Sequence, residues 1–369
     1  MNNAMIYVHI PFCDSKCYYC DFCSAKYDLE TQEKYFKKLN QEIQFNSNKN
    51  ILVSSIYIGG GTPSSVDEKY ICEILYNIKK HYNISKNAEI SIEANPCSIT
   101  ENKLLAYKNA GINRVSFGVQ SLNNKCLKLI GRKHTKKQAI SAIYLAKKHF
   151  NNINADVLIG IPNQNYFILK NTIKNLIKLK IPHVSCYMLI NEKGTKLTNL
   201  IEEKKVKVAG EDKCVDFYNK IVSFLKKNKY NRYEISNFSK SNFECKHNLG
   251  YWDITPYFGF GLSAHSFIDN TRYSNTTSMQ QYLDYNFDYN KEKLASAEII
   301  EEYIMLSLRT SKGINLAKLK NLGYDILKQK ANELKILKDN KMIDISKTQI
   351  KISENSFGVA NQIILMLIP

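Results

Sequence analysis

Residues 5–22, MIYVHIPFCDSKCYYCDF, run an apolar segment directly into a loop that holds Cys13, Cys17 and Cys20. Ile6, Val8 and Ile10 supply the branched bulk that a buried, pleated surface favours, so the segment reads as a strand. The loop after it carries the chemistry. Three thiolates spaced CX3CX2C can each bind one iron of a cubane cluster, and the missing fourth thiolate leaves one iron open to an outside chelator. Zinc would call for four closed ligands, usually as two pairs, and the chain has no separate second CxxC and no HxxxH. Cys23 is the one spare thiol near the loop, awkwardly placed to complete a set. Phe12, Tyr18, Tyr19 and Phe22 are expected to shield the cluster from water and so tune its potential.

Working outward, five more runs have the same character: SSIYIG (54–59), EISIEA (89–94), RVSFGV (114–119), INADVLIG (153–160) and HVSCYML (183–189). Between them lie segments with helical spacing, such as Tyr35, Phe36, Leu39 and Ile43, or Ile71, Ile74, Leu75 and Ile78. A βα unit repeated six times predicts a parallel sheet with right-handed crossovers, buried on both faces. Curled, that sheet is a partial (β/α)6 TIM-like barrel with its active site at the C-terminal strand ends. The unusual residues fall where that rule puts them. The cysteine loop follows the first strand, GGGTP (59–63) the second, EANP (93–96) the third, Gln120 the fourth and GIPNQ (160–164) the fifth.

Beyond residue 195 the pattern changes. Residues 198–228 read as helical, RYEISNF (232–238) as a strand, and CKHNLGYWDITPYFGFGLSAHSF (245–267) as a turn-rich aromatic stretch. Helices at 297–309 and 325–338, short strands at MIDI and QIKIS, and a last apolar helix predict a small winged-helix-like α+β domain. The expected division is 1–195 for the core, 196–290 for an extension and 291–369 for the C-terminal domain.

Composition narrows the function classes. The chain has 369 residues, 44% hydrophobic, enough for a large core. It starts without a basic, apolar leader, and no run approaches the ~20 apolar residues that span a bilayer. A cytoplasmic protein is expected. Ten cysteines, four of them at 13–23 and the rest single, suit a metal loop and buried thiols rather than a disulfide framework. The net charge of +18 is spread over helical lysines, as an AT-biased genome would produce. Solvated faces explain it better than a nucleic-acid-binding module, which stays as the weaker alternative. The same field suits an anionic ligand or a peripheral contact with an acidic membrane, and a homodimer is a further expectation.

Single residues carry less. The glycines of GGGTP let backbone approach a ligand, or simply turn a strand into a helix. Glu93 and Asp156, at expected strand ends, suit ribose hydroxyls or an amino group, and Arg132 in LIGRKH suits a carboxylate. Surface ion pairs are the plainer alternative. His247 and His265 stand in aromatic surroundings. Imidazole ligates heme iron, and Tyr251 and Trp252 could pack on a porphyrin, but an isolated histidine is more often a satisfied structural group.

Together these residues carry a resemblance. HIPFCDSKCYYCDF resembles the radical S-adenosylmethionine signature of the oxygen-independent coproporphyrinogen oxidase-like family. GGGTPSS, IEANP, GINRVSFGVQS, LIGRKH, ADVLIGIPNQ, YEISNF, KHNLGYW and GLSAHSF follow in the family's order, over nearly the whole chain. The resemblance implies Cys13, Cys17 and Cys20 as ligands of a [4Fe–4S] cluster. It implies Tyr7, Tyr19, Phe22, Gly60, Gly61, Thr62, Glu93, Gln120, Arg132 and Asp156 around S-adenosylmethionine. Two branches compete, a decarboxylating coproporphyrinogen III oxidase and a heme chaperone that passes heme to acceptor hemoproteins. The oxidase has a CxC cysteine where this chain has Phe22, and a long segment before its cysteine loop. Residues 247–252 match the HNxxYW element of the chaperone branch, which implies His247, Asn248, Tyr251 and Trp252 at a heme site. The chaperone is therefore the expected function, the oxidase the alternative, and no catalytic residue is assigned.

Overall fold

A computed structural model describes residues 2–284, 287 and 289–369; Met1 and residues 285, 286 and 288 of the expected first two units lie outside the described residues. Six βα units open the chain. They run β1 (Asn2–Ile10), α1 (Leu29–Phe45), β2 (Asn48–Gly60), α2 (Glu68–His81), β3 (Tyr82–Ala94), α3 (Glu101–Ala110) and β4 (Arg114–Gln120). Then come α4 (Asn124–Leu129), α5 (Lys136–Lys147), β5 (Asn152–Ile159), α6 (Tyr166–Lys178) and β6 (His183–Met188). Side-chain caps start all six of these helices: Asp28, Asp67, Thr100, Asn123, Thr135 and Asn165 each accept from a first-turn N–H. β1 to β6 pair in parallel and in chain order, as the six-strand reading requires.

β2 and β3 begin at Asn48 and Tyr82, well before the apolar runs at 54 and 89. Those leading residues mix polar and apolar side chains without a regular alternation, so hydrophobic pattern does not mark them as strand, although Val53 and Tyr82 are buried in the core. The strands are buried on both faces, but the two faces differ in chemistry. Ile90, Ile92, Val115, Phe117, Ala155, Val157 and Val184 pack outward under the helices. The alternate positions are polar and form rows: Glu93, Ser116 and Asn154 lie level across β3, β4 and β5, and Gly118, Asp156 and Ser185 across β4, β5 and β6. The barrel lumen is thus a column of hydrogen-bonding groups.

The rest of the chain closes around that column. α7 (Lys196–Glu202) and α8 (Glu211–Lys227) occupy the stretch expected to be helical. The strand expected at 232–238 is instead broken: β7 (Asn231–Arg232) and β8 (Asn237–Ser239) pair antiparallel around a turn at Glu234. The Glu234 carboxylate accepts from the Ser236 N–H and bends the chain back, which alternation of side chains does not predict. Residues 245–267, expected to be turns, contain α9 (Lys246–Trp252), β9 (Tyr257–Phe260) and β10 (His265–Ile268). β9 lies parallel to β1 on its free edge, followed outward by β10, β11 (Thr271–Ser274) and β12 (Asn290–Lys293), with α10 (Met279–Asp284) between the last two. At the other edge β8 pairs with β6, so the described sheet is an open, twelve-stranded one.

The C-terminal part has its own apolar cluster around Tyr303, Ile304, Leu337, Ile350 and Ile363. Its elements are α11 (Ser296–Ser307), β13 (Ile314–Asn315), α12 (Leu316–Asn321), α13 (Ile326–Gln329), α14 (Ala331–Asp339), β14 (Ile343–Ile345), β15 (Gln349–Ile352) and α15 (Ala360–Leu367). The helix expected at 325–338 is interrupted at Lys330, whose φ of −121° and ψ of 31° leave helical geometry. Helices followed by a three-stranded antiparallel sheet give the winged-helix-like α+β unit.

Candidate functional site

β1 delivers the cysteine loop to the C-terminal rim of the barrel. There Cys13, Cys17 and Cys20 share a pocket with Tyr19, Phe22, Gly60, Gly61, Thr62, Glu93, Gln120, Arg132 and Asp156. The loop is held by the turn after β2. Gly61 donates to the Ile10 carbonyl at 2.8 Å and Thr62 to the Phe12 carbonyl at 2.8 Å. A Cβ on Gly61 would stand 2.8 Å from the Phe12 oxygen and 3.1 Å from the Cys13 sulfur, so the close approach requires glycine. Cys13 Sγ lies 3.3 Å from Thr62 Oγ1, and Arg132 Nη1 donates to Cys17 Sγ at 3.4 Å.

The remaining rim groups are poised for a ligand. Arg132 also donates to the Gly118 carbonyl, while its buried Nε has no partner, and neither does the buried Gln120 Oε1. Gln120 sits in the left-handed region at φ 63°, a strained position at the end of β4. Glu93 accepts from Tyr57 Oη at 2.9 Å and from the Gly60 N–H at 3.2 Å. Burial, and then the neighbouring Asp156, push its carboxyl up to about 7. Asp156 is also shifted upward by burial and is held by Asn154 Nδ2 at 2.7 Å; it lies inside β5 rather than at its end, pointing into the lumen. Two acids, an unsatisfied guanidinium N–H and an unsatisfied amide oxygen match the ammonium, ribose hydroxyls and carboxylate of S-adenosylmethionine. Among the described residues no three His, Cys, Asp or Glu side chains close on a single ion point. Thiolates that each bind a different corner of a cubane stand farther apart than ligands of one ion, and the three sulfurs share one pocket.

Tyr7 lies outside that pocket wall and acts through a residue sequence reading passed over. His9 Nε2 donates to the Cys23 carbonyl at 2.9 Å, and since a carbonyl only accepts, Nδ1 is the acceptor for Tyr7 Oη at 3.0 Å. The pair pins the far end of the cysteine loop. Its only signal in the sequence was a histidine inside an apolar strand. Cys23 itself turns toward the Thr277 carbonyl, at 3.7 Å, and away from the pocket. Of the four loop aromatics, Phe12 faces the core against Tyr27, Tyr35 and Phe36, and Tyr18 covers Gly131 under the Lys196 ammonium. Tyr19 walls the pocket, whereas Phe22 is 62% exposed at its mouth.

A second site lies at the open seam of the barrel. The Glu89 carboxylate accepts from the N–H groups of Lys246 and His247, both at 3.2 Å, and so anchors the start of α9. His247 is fully buried. Its ring stacks on Tyr57, Nδ1 meets Ser55 Oγ at 2.9 Å and Nε2 meets Tyr251 Oη at 3.1 Å. Burial, and then the Arg114 charge, pull its pKa down to about 3. Asn248, Tyr251 and Trp252 instead line a cavity of about 610 Å³ with Tyr187, Tyr257, Phe267, Met305 and Leu306. His247 is not in that wall. His265 is exposed on β10.

The Radical SAM superfamily model matches residues 7–176. The heme chaperone HemW of Lactococcus lactis is 33% identical over 363 residues, covering 97% of this chain and 95% of the relative. The heme chaperone HemW of Bacillus subtilis is 35% identical over 320 residues, covering 84% of each. Among solved structures, the coproporphyrinogen III oxidase HemN of Escherichia coli aligns with a TM-score of 0.85 at 21% identity, over 100% of this chain and 90% of that one. That likeness is one of fold. A [4Fe–4S] cluster and S-adenosylmethionine are general equipment of the superfamily, and no described helix is long and apolar enough to cross a membrane. The chain belongs to the radical SAM superfamily and, within it, to the HemW family.

Proposed function

We propose that this chain is a heme chaperone that takes heme into the seam cavity and passes it to an acceptor hemoprotein in the cytoplasm. One observation carries the reading: three residues of the HNxxYW element wall a cavity of about 610 Å³ whose lining is largely aromatic and aliphatic. Concave, mostly apolar sites with a few fixed polar groups are what planar hydrophobic ligands require. His247 supports that wall from behind by orienting Tyr251. The named relatives, which are called heme chaperones, agree with this use of the cavity.

In the same proposal Cys13, Cys17 and Cys20 would hold a [4Fe–4S] cluster, and that group would supply one-electron chemistry beside an S-adenosylmethionine site. Gly60 and Gly61 bring backbone close to that ligand, Arg132 and Gln120 offer their free polar atoms, and Glu93 and Asp156 hold its ammonium and ribose. The proposed division is 1–195 for the core that carries the rim, 196–290 for the extension and 291–369 for the C-terminal domain, with the seam cavity lined by residues of all three.

The alternative, coproporphyrinogen III decarboxylation, draws on the fold shared with the E. coli oxidase. Two parallel experiments on anaerobically reconstituted protein separate the readings. Heme titration is expected to give saturable binding, and incubation with coproporphyrinogen III, S-adenosylmethionine and a reductant is expected to give no protoporphyrinogen. Formation of protoporphyrinogen would overturn the chaperone reading in favour of the oxidase.

A further inference from the structure

Arg272 on β11 and Glu302 on α11 both line the seam cavity, and they are paired with each other. Arg272 is the single Lys or Arg among the described residues of that wall, and Glu292 approaches its other terminal nitrogen at 3.4 Å. The side chains are 40% and 25% exposed for Arg272 and Glu302, so the pair sits at the cavity edge rather than in open solvent. A planar guanidinium binds carboxylates by a two-pronged fork, and one carboxylate can replace another with little change in geometry.

We propose that Arg272 is the carboxylate anchor of the cavity, taking a propionate of the bound tetrapyrrole in exchange for Glu302. This rests on the heme-chaperone reading and specifies which residue holds the ligand's charged edge. The apolar part of the wall accepts the ring, and the lone cation accepts the acid. Glu302 is then a built-in competitor. It lowers affinity while the propionate is bound and re-pairs with Arg272 when the ligand leaves. A carrier must surrender its cargo, and a competing carboxylate already in place speeds that step. The exchange also reaches the C-terminal part, because Arg272–Glu302 ties β11 to α11.

Trp252 is the chain's one tryptophan and lies in the cavity wall, so its fluorescence reports occupancy directly. The test titrates heme, and heme dimethyl ester with both acids blocked, into the full-length protein and the variants R272M, R272K and E302Q. Wild type should prefer heme to the ester by about tenfold, the worth of a charge-assisted hydrogen bond. R272M should bind both compounds equally, at the ester's affinity. R272K, which keeps the charge without the fork, should fall between. E302Q should bind heme several-fold more tightly and release it more slowly to apomyoglobin. Unchanged cluster absorbance in each variant confirms folding. A heme preference that survives in R272M, or weaker heme binding in E302Q, overturns the anchor while leaving the chaperone reading intact. Failure of wild type to bind either compound overturns both.

Discussion

The rim and the seam are both built around polar side chains in an aromatic setting, but they are assembled differently. Rim residues come mostly from one repeated unit: the loop after β1, the turn after β2, the ends of β3 and β4 and the lumen face of β5, with Arg132 added from the segment after α4. Seam residues come from β6, the turn at Glu234, α9, β9 to β11 and α11, segments with no common repeat. A site laid out along a repeat depends on local backbone fit. One assembled from distant segments depends on buried supports such as Glu89 and His247. The two should therefore fail independently.

The most severe break is Cys17→Ala. It removes a thiolate that no other described residue in the pocket replaces, because Cys23 turns toward Thr277. Cluster absorbance after anaerobic reconstitution should be lost completely, while heme quenching of Trp252 persists. A retained cluster would show that the loop is not the cluster site. Gly61→Ala comes next. The added methyl meets backbone rather than a flexible side chain, so the cysteine loop must shift, at a cost of about 1–3 kcal/mol. Cluster content should fall by more than half with little change at the seam; normal content would mean the loop has slack that the contact distances deny.

The reciprocal test is His247→Ala. It strands Ser55 and Tyr251 in a buried site, each losing a hydrogen bond, for about 1–3 kcal/mol of stability. Heme binding should weaken several-fold as Tyr251 loses its brace, with the cluster absorbance intact. An unchanged heme titration would separate α9 from the heme site. A heme spectrum unaltered in band position, with affinity alone reduced, is expected of a residue that acts through Tyr251.

This contrast also explains what the sequence made legible. The six strands and the residues following them were readable because apolar runs recur and the chemistry sits at their ends. His9 carries no signal because it lies inside a strand, where a polar residue looks like a stray alternation, and Tyr7 beside it is marked only by the family resemblance. The polar lumen rows were hidden because Ile and Val on the outer face dominate the composition of each run. At the seam, α9 reads as turns in the sequence: seven residues hold too little periodicity, and its start is capped by Glu89, 157 residues away in the chain from Lys246. Arg272, Glu302 and Met305 carried no motif at all. Only folding brings them beside Trp252.

The smallest effect is a pH dependence shared between the two regions. Glu93 at the rim and Glu234 at the seam are both pushed up to about 7, chiefly by burial. The sign follows from proton uptake. Below the unfolded carboxyl value, near 4.5, both states are protonated and the stabilisation is fully present. Between 4.5 and 7 the unfolded chain releases the proton that the folded chain keeps, so stability falls as pH rises; above 7 both are ionised and the loss is complete. Each group should cost about 1 kcal/mol between pH 6 and 7. Urea melts of the cluster-free protein should show that slope, and Glu93→Gln should remove about half of it. An equal slope in the variant would place the titration wholly at the seam. A slope of opposite sign would mean that neither carboxyl is held neutral in the folded chain.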